Sequence, residues 1–169
     1  MTDFEVRPIA AKETRQLRHQ VLRPHQAPDE LVYPGDEAAE SLHVGAFANG
    51  RLVGVATVVP GPMPGIPDEH AWQVRGMATL PEFRGQGAGS AMLGALIAHV
   101  AGHGGTAIWC NARTPAIRFY EKVGFATRGG EFLIPVSGPH YLMWRAVDIA
   151  CRSRHNRVPP RRPTNEEDS

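Results

Sequence analysis

Arg84-Gly85-Gln86-Gly87-Ala88-Gly89 lies between a run that reads as a strand and a run that reads as a helix, and no other feature of the chain restricts its fold as much. The strand is Trp72–Leu80, closed by Pro81. The helix runs to about His99, with Leu93, Ile97 and Val100 on one side and Met92 and Leu96 beside them. Glycines in such a turn let backbone N–H groups converge without Cβ obstruction. The helix N-terminus adds about half a positive charge at the same point. The pair makes a seat for a phosphate or pyrophosphate, with the side chain of Arg84 at its rim and the Ser90 hydroxyl in the first helical turn. A nucleotide triphosphate loop requires Gly-Lys-Ser/Thr here, and there is no lysine. The dinucleotide fingerprint fits poorly: counted from Gly85, Ser90 takes the third glycine's place, and Gly104-Gly105 stand where an acid is wanted. A tight strand-to-helix turn with no ligand is the plain alternative.

The rest of the chain reads as alternating short elements. Phe4–Ile9 is a first strand, and Lys12–Arg23 is a helix with Leu17, Val21 and Leu22 inward, stopped by Pro24. His25–Glu40 is a loop with a turn at Tyr33-Pro34-Gly35-Asp36. Leu42–Ala48 and Leu52–Val59 flank Asn49-Gly50, a strong hairpin signal, and the second is apolar on both faces, as a central strand must be. Pro60–Pro67 is a rigid loop and Thr106–Cys110 a short buried strand. Thr114 reads as an N-cap with Pro115 at the first position of a helix Pro115–Val123, which Gly124 ends. Phe132–Val136 and Tyr141–Arg145 are the last two strands. This order of strands and helices predicts an α+β fold in one domain.

Composition narrows the function. Apolar residues make up 42% and charged residues 21% of 169, enough for one core of ordinary size. Eighteen Gly and fifteen Pro exceed average usage and serve as turn punctuation. A formal net charge of +1 is not the footprint of a dedicated nucleic-acid binder, so neither nucleic acid nor membrane is expected as a partner. Two cysteines, Cys110 and Cys151, make no disulfide framework. The first ten residues lack the apolar stretch of a signal peptide, and no run approaches the roughly 20 apolar residues of a membrane span, so a cytoplasmic protein is expected. Beyond Asp148 the pattern dissolves into Arg152, Arg154, Arg157, Arg161 and Arg162, interspersed with three prolines and followed by Glu166, Glu167 and Asp168. Residues 1–147 are read as one domain of near-neutral charge and 148–169 as a disordered basic tail. His99 and His103 share a helix face at i, i+4, but no Glu follows His99, so they read as residues near a helix end and no metal is expected.

The arrangement resembles the GNAT (GCN5-related) N-acetyltransferases. Arg84-x-x-Gly87-x-Gly89, after a strand ending Met77-Ala78-Thr79-Leu80-Pro81, is similar to the family's acetyl-CoA motif. Ala116-Ile117-Arg118-Phe119-Tyr120-Glu121-Lys122-Val123-Gly124-Phe125 is similar to its A-x-x-x-Y-x-x-x-G-F signature, one helix and one strand later. The Gly138-Pro139-His140-Tyr141-Leu142-Met143 ending resembles a subset of uncharacterised members more than the antibiotic-modifying ones. The resemblance implies the family's α+β fold, an α/β three-layer arrangement in which a mixed, mostly antiparallel sheet of six to seven strands is flanked by helices, with a splay between the fourth and fifth strands that admits acetyl-CoA as cosubstrate. It places the pantetheine arm along Met77, Ala78 and Thr79, with the thioester carbonyl at a bulge near Met77. It rests the pyrophosphate on Arg84, Gly85, Gln86, Gly87, Ala88 and Gly89, with Ser90 adjacent. Asn111, just past the fifth strand, is implied as a partner for the pantetheine amide, although the family's usual asparagine position is Arg113 here, which then reaches phosphate or substrate. Phe119 belongs to the same motif, and Tyr120 is implied as the general acid that protonates the leaving thiolate.

The implied activity is transfer of an acetyl group to a primary amine of a small molecule or peptide by direct attack. Candidate bases for the amine are His140, Glu131 and His70, or a water chain; His140 stands first because it follows a Gly-Pro turn near the acceptor end. Asp36, Glu37, Asp68 and Glu69 make only a scattered acidic rim. The acceptor is expected between Tyr33–Asp36, Pro60–Pro67 and Glu131–His140. A catalytically inactive acyl-CoA-binding module on the same fold and a nucleotide-binding module remain alternatives, and either a monomer or a homodimer is compatible.

Overall fold

The computed structural model describes residues 3–147. The basic segment beyond Asp148 and Cys151 lie outside the described residues. Seven strands form one sheet in the order β1-β2-β3-β4-β5-β7-β6. They are β1 (Glu5–Pro8), β2 (Leu42–Ala48), β3 (Arg51–Pro60), β4 (Ala71–Thr79), β5 (Ala107–Arg113), β6 (Ala126–Ile134) and β7 (Gly138–Ala146). Neighbours are antiparallel except β4 and β5, which are parallel and are joined by the crossover that carries the glycine turn and the long helix. The α+β architecture expected from the element order is the one observed.

Local chemistry explains most boundaries. Asn49 and Gly50 adopt φ of 49° and 80°, the positive pair a two-residue hairpin needs. β3 is central and buried on both faces: Val53, Val55, Ala56 and Val58 are fully enclosed. The first helical segment is less regular than its periodicity predicts. It opens as a 3-10 turn (Ala11–Thr14), makes one α-helical turn as α1 (Arg15–Leu17) and closes as a π turn (Arg18–Leu22). The wide turn sets Arg18 inward, and Arg23 N–H closes it on the Arg18 carbonyl at 2.9 Å.

α2 (Ala88–Gly102) buries Met92, Leu93, Leu96 and Val100. It packs on the sheet face where Gly54 sits: a Cβ on Gly54 would fall 2.9 Å from the Met92 methyl. The first helical segment covers the other face, where Arg18 reaches Thr57. Arg75 stands opposite Thr57 in the β3–β4 register and therefore belongs to that second face. The sheet is thus sandwiched between helices on both sides. α3 (Ile117–Lys122) starts two residues later than its sequence suggests. Thr114 does not cap it; its hydroxyl donates to Glu131 Oε2 at 2.9 Å, and a 3-10 turn (Thr114–Ala116) precedes the helix. Gly124, at φ 90°, ends the element as expected.

β5 and β6 are among the strands that run longer than expected. β5 continues to Arg113 because β7 supplies a ladder partner for every residue from Ala107 onward. β6 begins at Ala126, six residues earlier than its apolar run, since an edge strand exposed along most of its length carries no hydrophobic alternation.

Candidate active site

β4 and β5 pair over only three positions, Ala71–Ala107, Trp72–Ile108 and Gln73–Trp109. Past these the strands diverge, and a cavity of about 220 Å³ opens between them. β4 contributes Gln73–Met77 to its wall and β5 contributes Cys110–Arg113. Tyr120 enters from α3, Ser137 from the β6–β7 turn, His140 from the start of β7, and Leu22, Arg23 and Tyr33 from the helical side. The loop Pro60–Pro67 lies elsewhere: Met63 is buried with Ala71, Ala107 and Trp109 at the closed end of the splay. The expectation that this loop walls the acceptor site is therefore corrected. His70 also sits at that closed end, where its carbonyl accepts from Thr106 N–H, so it is not brought to the cavity. Glu131 is exposed on β6 and holds Thr114.

The glycine turn has two separate reasons for its glycines. Gly85 and Gly87 adopt φ of 73° and 98° with open space where a side chain would go, so they are required by conformation. Gly89 is ordinary helix, and its reason is contact: a Cβ would lie 3.1 Å from the Phe119 ring. Gly87 is the N-cap of α2 and gives no side-chain cap; the first intrahelical bond runs from Ala91 N–H to the Gly87 carbonyl at 3.1 Å. The N–H groups of Ala88, Gly89 and Ser90 consequently have no acceptor within the helix, and Ala88 is buried while Ser90 is exposed. The Arg84 side chain folds back, Nε donating to the Thr79 carbonyl at 3.2 Å. Gln86 donates to the Glu82 carbonyl at 2.9 Å, which fastens the turn.

β4 bulges beside the cavity. Thr57 faces Arg75 and Val55 faces Ala78, so β4 fits an extra residue at Gly76–Met77. Gly76 has φ of 59°, and a Cβ there would meet Arg18 Nε at 2.8 Å. Arg18 is fully buried behind the bulge. It forms a bidentate pair with Asp36 at 2.6 and 3.0 Å, and donates to Thr57 Oγ1 at 3.0 Å and the Leu31 carbonyl at 2.9 Å. Burial pushes the Asp36 carboxyl up, but the Arg18 hydrogen bonds, the Tyr33 N–H and the nearby charges outweigh it, and the net displacement is downward. Asp36 is therefore spoken for and is not part of an acidic rim. His43 extends this network to Thr57 Oγ1 at 2.7 Å and the Asp36 carbonyl at 2.9 Å.

Tyr120 is buried, and its hydroxyl points at sulfur: it donates to Met77 Sδ at 3.7 Å and couples to the Cys110 thiol. Burial first, and then the Cys110 charge and hydrogen bond, raise the phenol well above its ordinary pKa. It is a proton donor at any physiological pH. His140 is buried with Nδ1 2.7 Å from the Gly138 carbonyl and Nε2 3.2 Å from Ser137 Oγ. A carbonyl only accepts, so Nδ1 carries the proton and Nε2 of the neutral ring keeps its lone pair. Val136, just before this pair, has φ of 68°, a strained value for a β-branched residue. Asn111 lies within β5, not past it, and lines the cavity. Arg113 also lines it, and Nη2 donates to the Leu22 carbonyl at 3.0 Å. His99 and His103 point to backbone carbonyls of Glu40 and His99, and among the described residues no group of three or more His, Cys, Asp or Glu is set to hold a metal.

Residues 9–125 match the sequence model of the acetyltransferase (GNAT) family. The chain belongs to this family. It is 37% identical over 144 residues to the uncharacterized N-acetyltransferase YitI of Bacillus subtilis, covering 85% of this chain and 97% of that one. Among solved structures, Escherichia coli ElaA superposes with a TM-score of 0.68 at 18% identity, over 85% of this chain and 99% of that one. An aminoglycoside 6'-N-acetyltransferase complexed with coenzyme A superposes with a TM-score of 0.62 at 18% identity, over 85% and 97%. The GNAT match stops at Phe125, before the β6–β7 hairpin that closes the cavity with Ser137 and His140. Tyr33, Arg75, Cys110 and Ser137 line the site of this GNAT acetyltransferase without any mark in a local motif; only Arg75 carries a signal, the parity of β4 and β5, which sets it on one sheet face with Arg113.

Proposed function

We propose that the chain transfers acetyl from acetyl-CoA to a primary amine of a small molecule or peptide by direct attack on the thioester, in the cytoplasm. The observation that carries this reading is the splay of β4 from β5 with the Tyr120 hydroxyl inside it. The chain's own groups suit the cosubstrate. The unsatisfied N–H groups at the start of α2, together with Arg84–Gly89, form a seat for pyrophosphate. Past Gln73, β4 has no ladder partner on the β5 side, so its edge at Met77–Thr79, apart from the Thr79 carbonyl that Arg84 Nε already holds, is open to a pantetheine arm lying alongside as an added strand, with Asn111 across the gap. Phe119 packs beneath the glycine turn and holds the α2 start against α3.

At the reacting carbon, the N–H at the Met77 bulge faces the thioester oxygen and stabilises the developing oxyanion. The amine attacks, the C–S bond breaks, and the thiolate takes the proton of Tyr120. A phenol already directed at sulfur and held neutral by burial suits that step. His140 Nε2 receives the proton the amine must lose, with Ser137 as its hydrogen-bond partner. The test is thiol release with acetyl-CoA and an amine panel, alongside calorimetry of acetyl-CoA binding. Tyr120→Phe is expected to lower turnover roughly 10²- to 10⁴-fold with little change in acetyl-CoA affinity. Unchanged turnover removes Tyr120 as the acid, and binding without any thiol release marks an inactive acyl-CoA-binding module.

A further inference from the structure

Among the described residues the cavity is lined by three arginines, Arg23, Arg75 and Arg113, and by no aspartate or glutamate. Among the described residues none of the three has a carboxylate partner; the ion pairs present join Arg7 to Glu5, Arg18 to Asp36 and Arg51 to Glu82. All three are half-buried. Arg113 is held by the Leu22 carbonyl, while among the described residues the Arg75 guanidinium makes no hydrogen bond and lies over the Tyr33 ring at 5.3 Å. Asp36 is the carboxylate whose charge reaches Arg75, and both its oxygens are occupied by Arg18. Half-buried guanidiniums that keep their protons and pair directly with no carboxylate are suited to take up an anion.

The cosubstrate's phosphates are not the natural answer for Arg75. The phosphate seat is the start of α2, on the sheet face of Gly54, whereas Arg75 belongs to the face of Thr57 and the first helical segment. Arg113 feels the charges of Arg23 and, more weakly, of Arg84 beside that seat. Arg75 shares its face with Arg113, His140 and Tyr33, where the amine must arrive.

Resting on the acetyltransferase reading, we propose that the acceptor is a small molecule bearing an oxyanion, carboxylate or phosphate, beside its amine, and that Arg75, flanked by Arg23 and Arg113, binds that oxyanion. The fork of a guanidinium matches two oxygens of either group. A cavity so lined disfavours polycations by like-charge repulsion.

The test is thiol release with matched acceptor pairs: amino acids against their α-amides, an amino-sugar phosphate against the parent amino sugar, and a polyamine as the cationic member. The oxyanion-bearing member of a pair is expected to have kcat/KM about ten- to a hundred-fold higher, as suits a charge-assisted hydrogen bond. Which pair shows the larger ratio distinguishes carboxylate from phosphate. Arg75→Gln is expected to raise the acceptor KM and shrink that ratio toward unity while the acetyl-CoA KM stays put; Arg75→Lys keeps part of the ratio. Arg23→Gln, on the helical side of the cavity, gives a second reading if Arg75→Gln folds poorly, and is expected to shrink the same ratio. A polyamine or an α-amide as the best acceptor, or an Arg75→Gln effect confined to acetyl-CoA, overturns the proposal. Bound acetyl-CoA with no acceptor consumed overturns the acetyltransferase reading itself, a different result from turnover with the wrong preference.

Discussion

Cys110 shows how one buried thiol links the candidate site to stability. It is enclosed on β5 beside Tyr120, and burial pushes its pKa up from 9.0 to about 12, against a smaller pull downward from the Tyr120 hydrogen bond. The folded state therefore keeps a proton that the unfolded chain has already lost. Stability from this group is whole below about pH 9 and drains as pH rises toward 12. Tyr120 is displaced in the same direction, so its own loss begins above its ordinary 10.0. Cys110→Ala is expected to remove the first part of the alkaline decline, on the order of a few kcal/mol by pH 12. It also lowers the plateau at neutral pH slightly through a small cavity. Urea unfolding at a series of pH values reads both effects. An unchanged slope between pH 9 and 12 in the variant would mean that the thiol does not titrate as its burial requires.

At the scale of elements, the bulge in β4 and the buried Arg18 behind it form one unit. Gly76 takes φ 59° and leaves no room for a methyl, because Arg18 Nε would be 2.8 Å and the Tyr33 ring 3.1 Å away. Arg18 cannot step aside without loosening its bonds to Asp36, Thr57 and Leu31. Gly76→Ala is expected to cost roughly 2–4 kcal/mol, strain and overpacking together, and to lower turnover by moving the Met77 amide. Gly65→Ala is the control, at φ 79° in open space, and should cost only the strain, about 1–2 kcal/mol. Equal costs in chemical denaturation would remove the packing argument. The same unit shows where sequence reading stops. Turn and hairpin signals such as Asn49-Gly50 and Gly124 are local, since the φ they need is decided by one or two residues, and the strand–turn–helix around Gly85–Gly89 was readable for that reason. Arg18 and Asp36 are eighteen positions apart and join only because a π turn points one of them inward. Asn111 was expected past the end of β5, because its place inside the strand depends on Leu142 across the ladder.

For the whole molecule, net charge and local charge separate. The chain is formally +1, and its basic excess lies beyond Asp148, which suggests that any charge-driven partner should depend on that segment. The structure adds a second seat of positive charge, within a near-neutral body, at the cavity of Arg23, Arg75 and Arg113. The two are separable by truncation and salt. Ending the chain after Ala150 is expected to leave kcat/KM for acetyl-CoA within about twofold, as for changes away from packed or bonded groups. It should reduce retention on a polyanionic matrix, since five arginines leave with the segment. The acceptor KM should still rise with ionic strength in the shortened chain, because the cations that attract an oxyanion sit in the cavity and are only partly screened there. A large fall in turnover on truncation would place the basic segment in the reaction. Loss of the salt dependence together with the segment would place the acceptor's electrostatic attraction outside the fold, and would weigh against the arginine-lined cavity as its source.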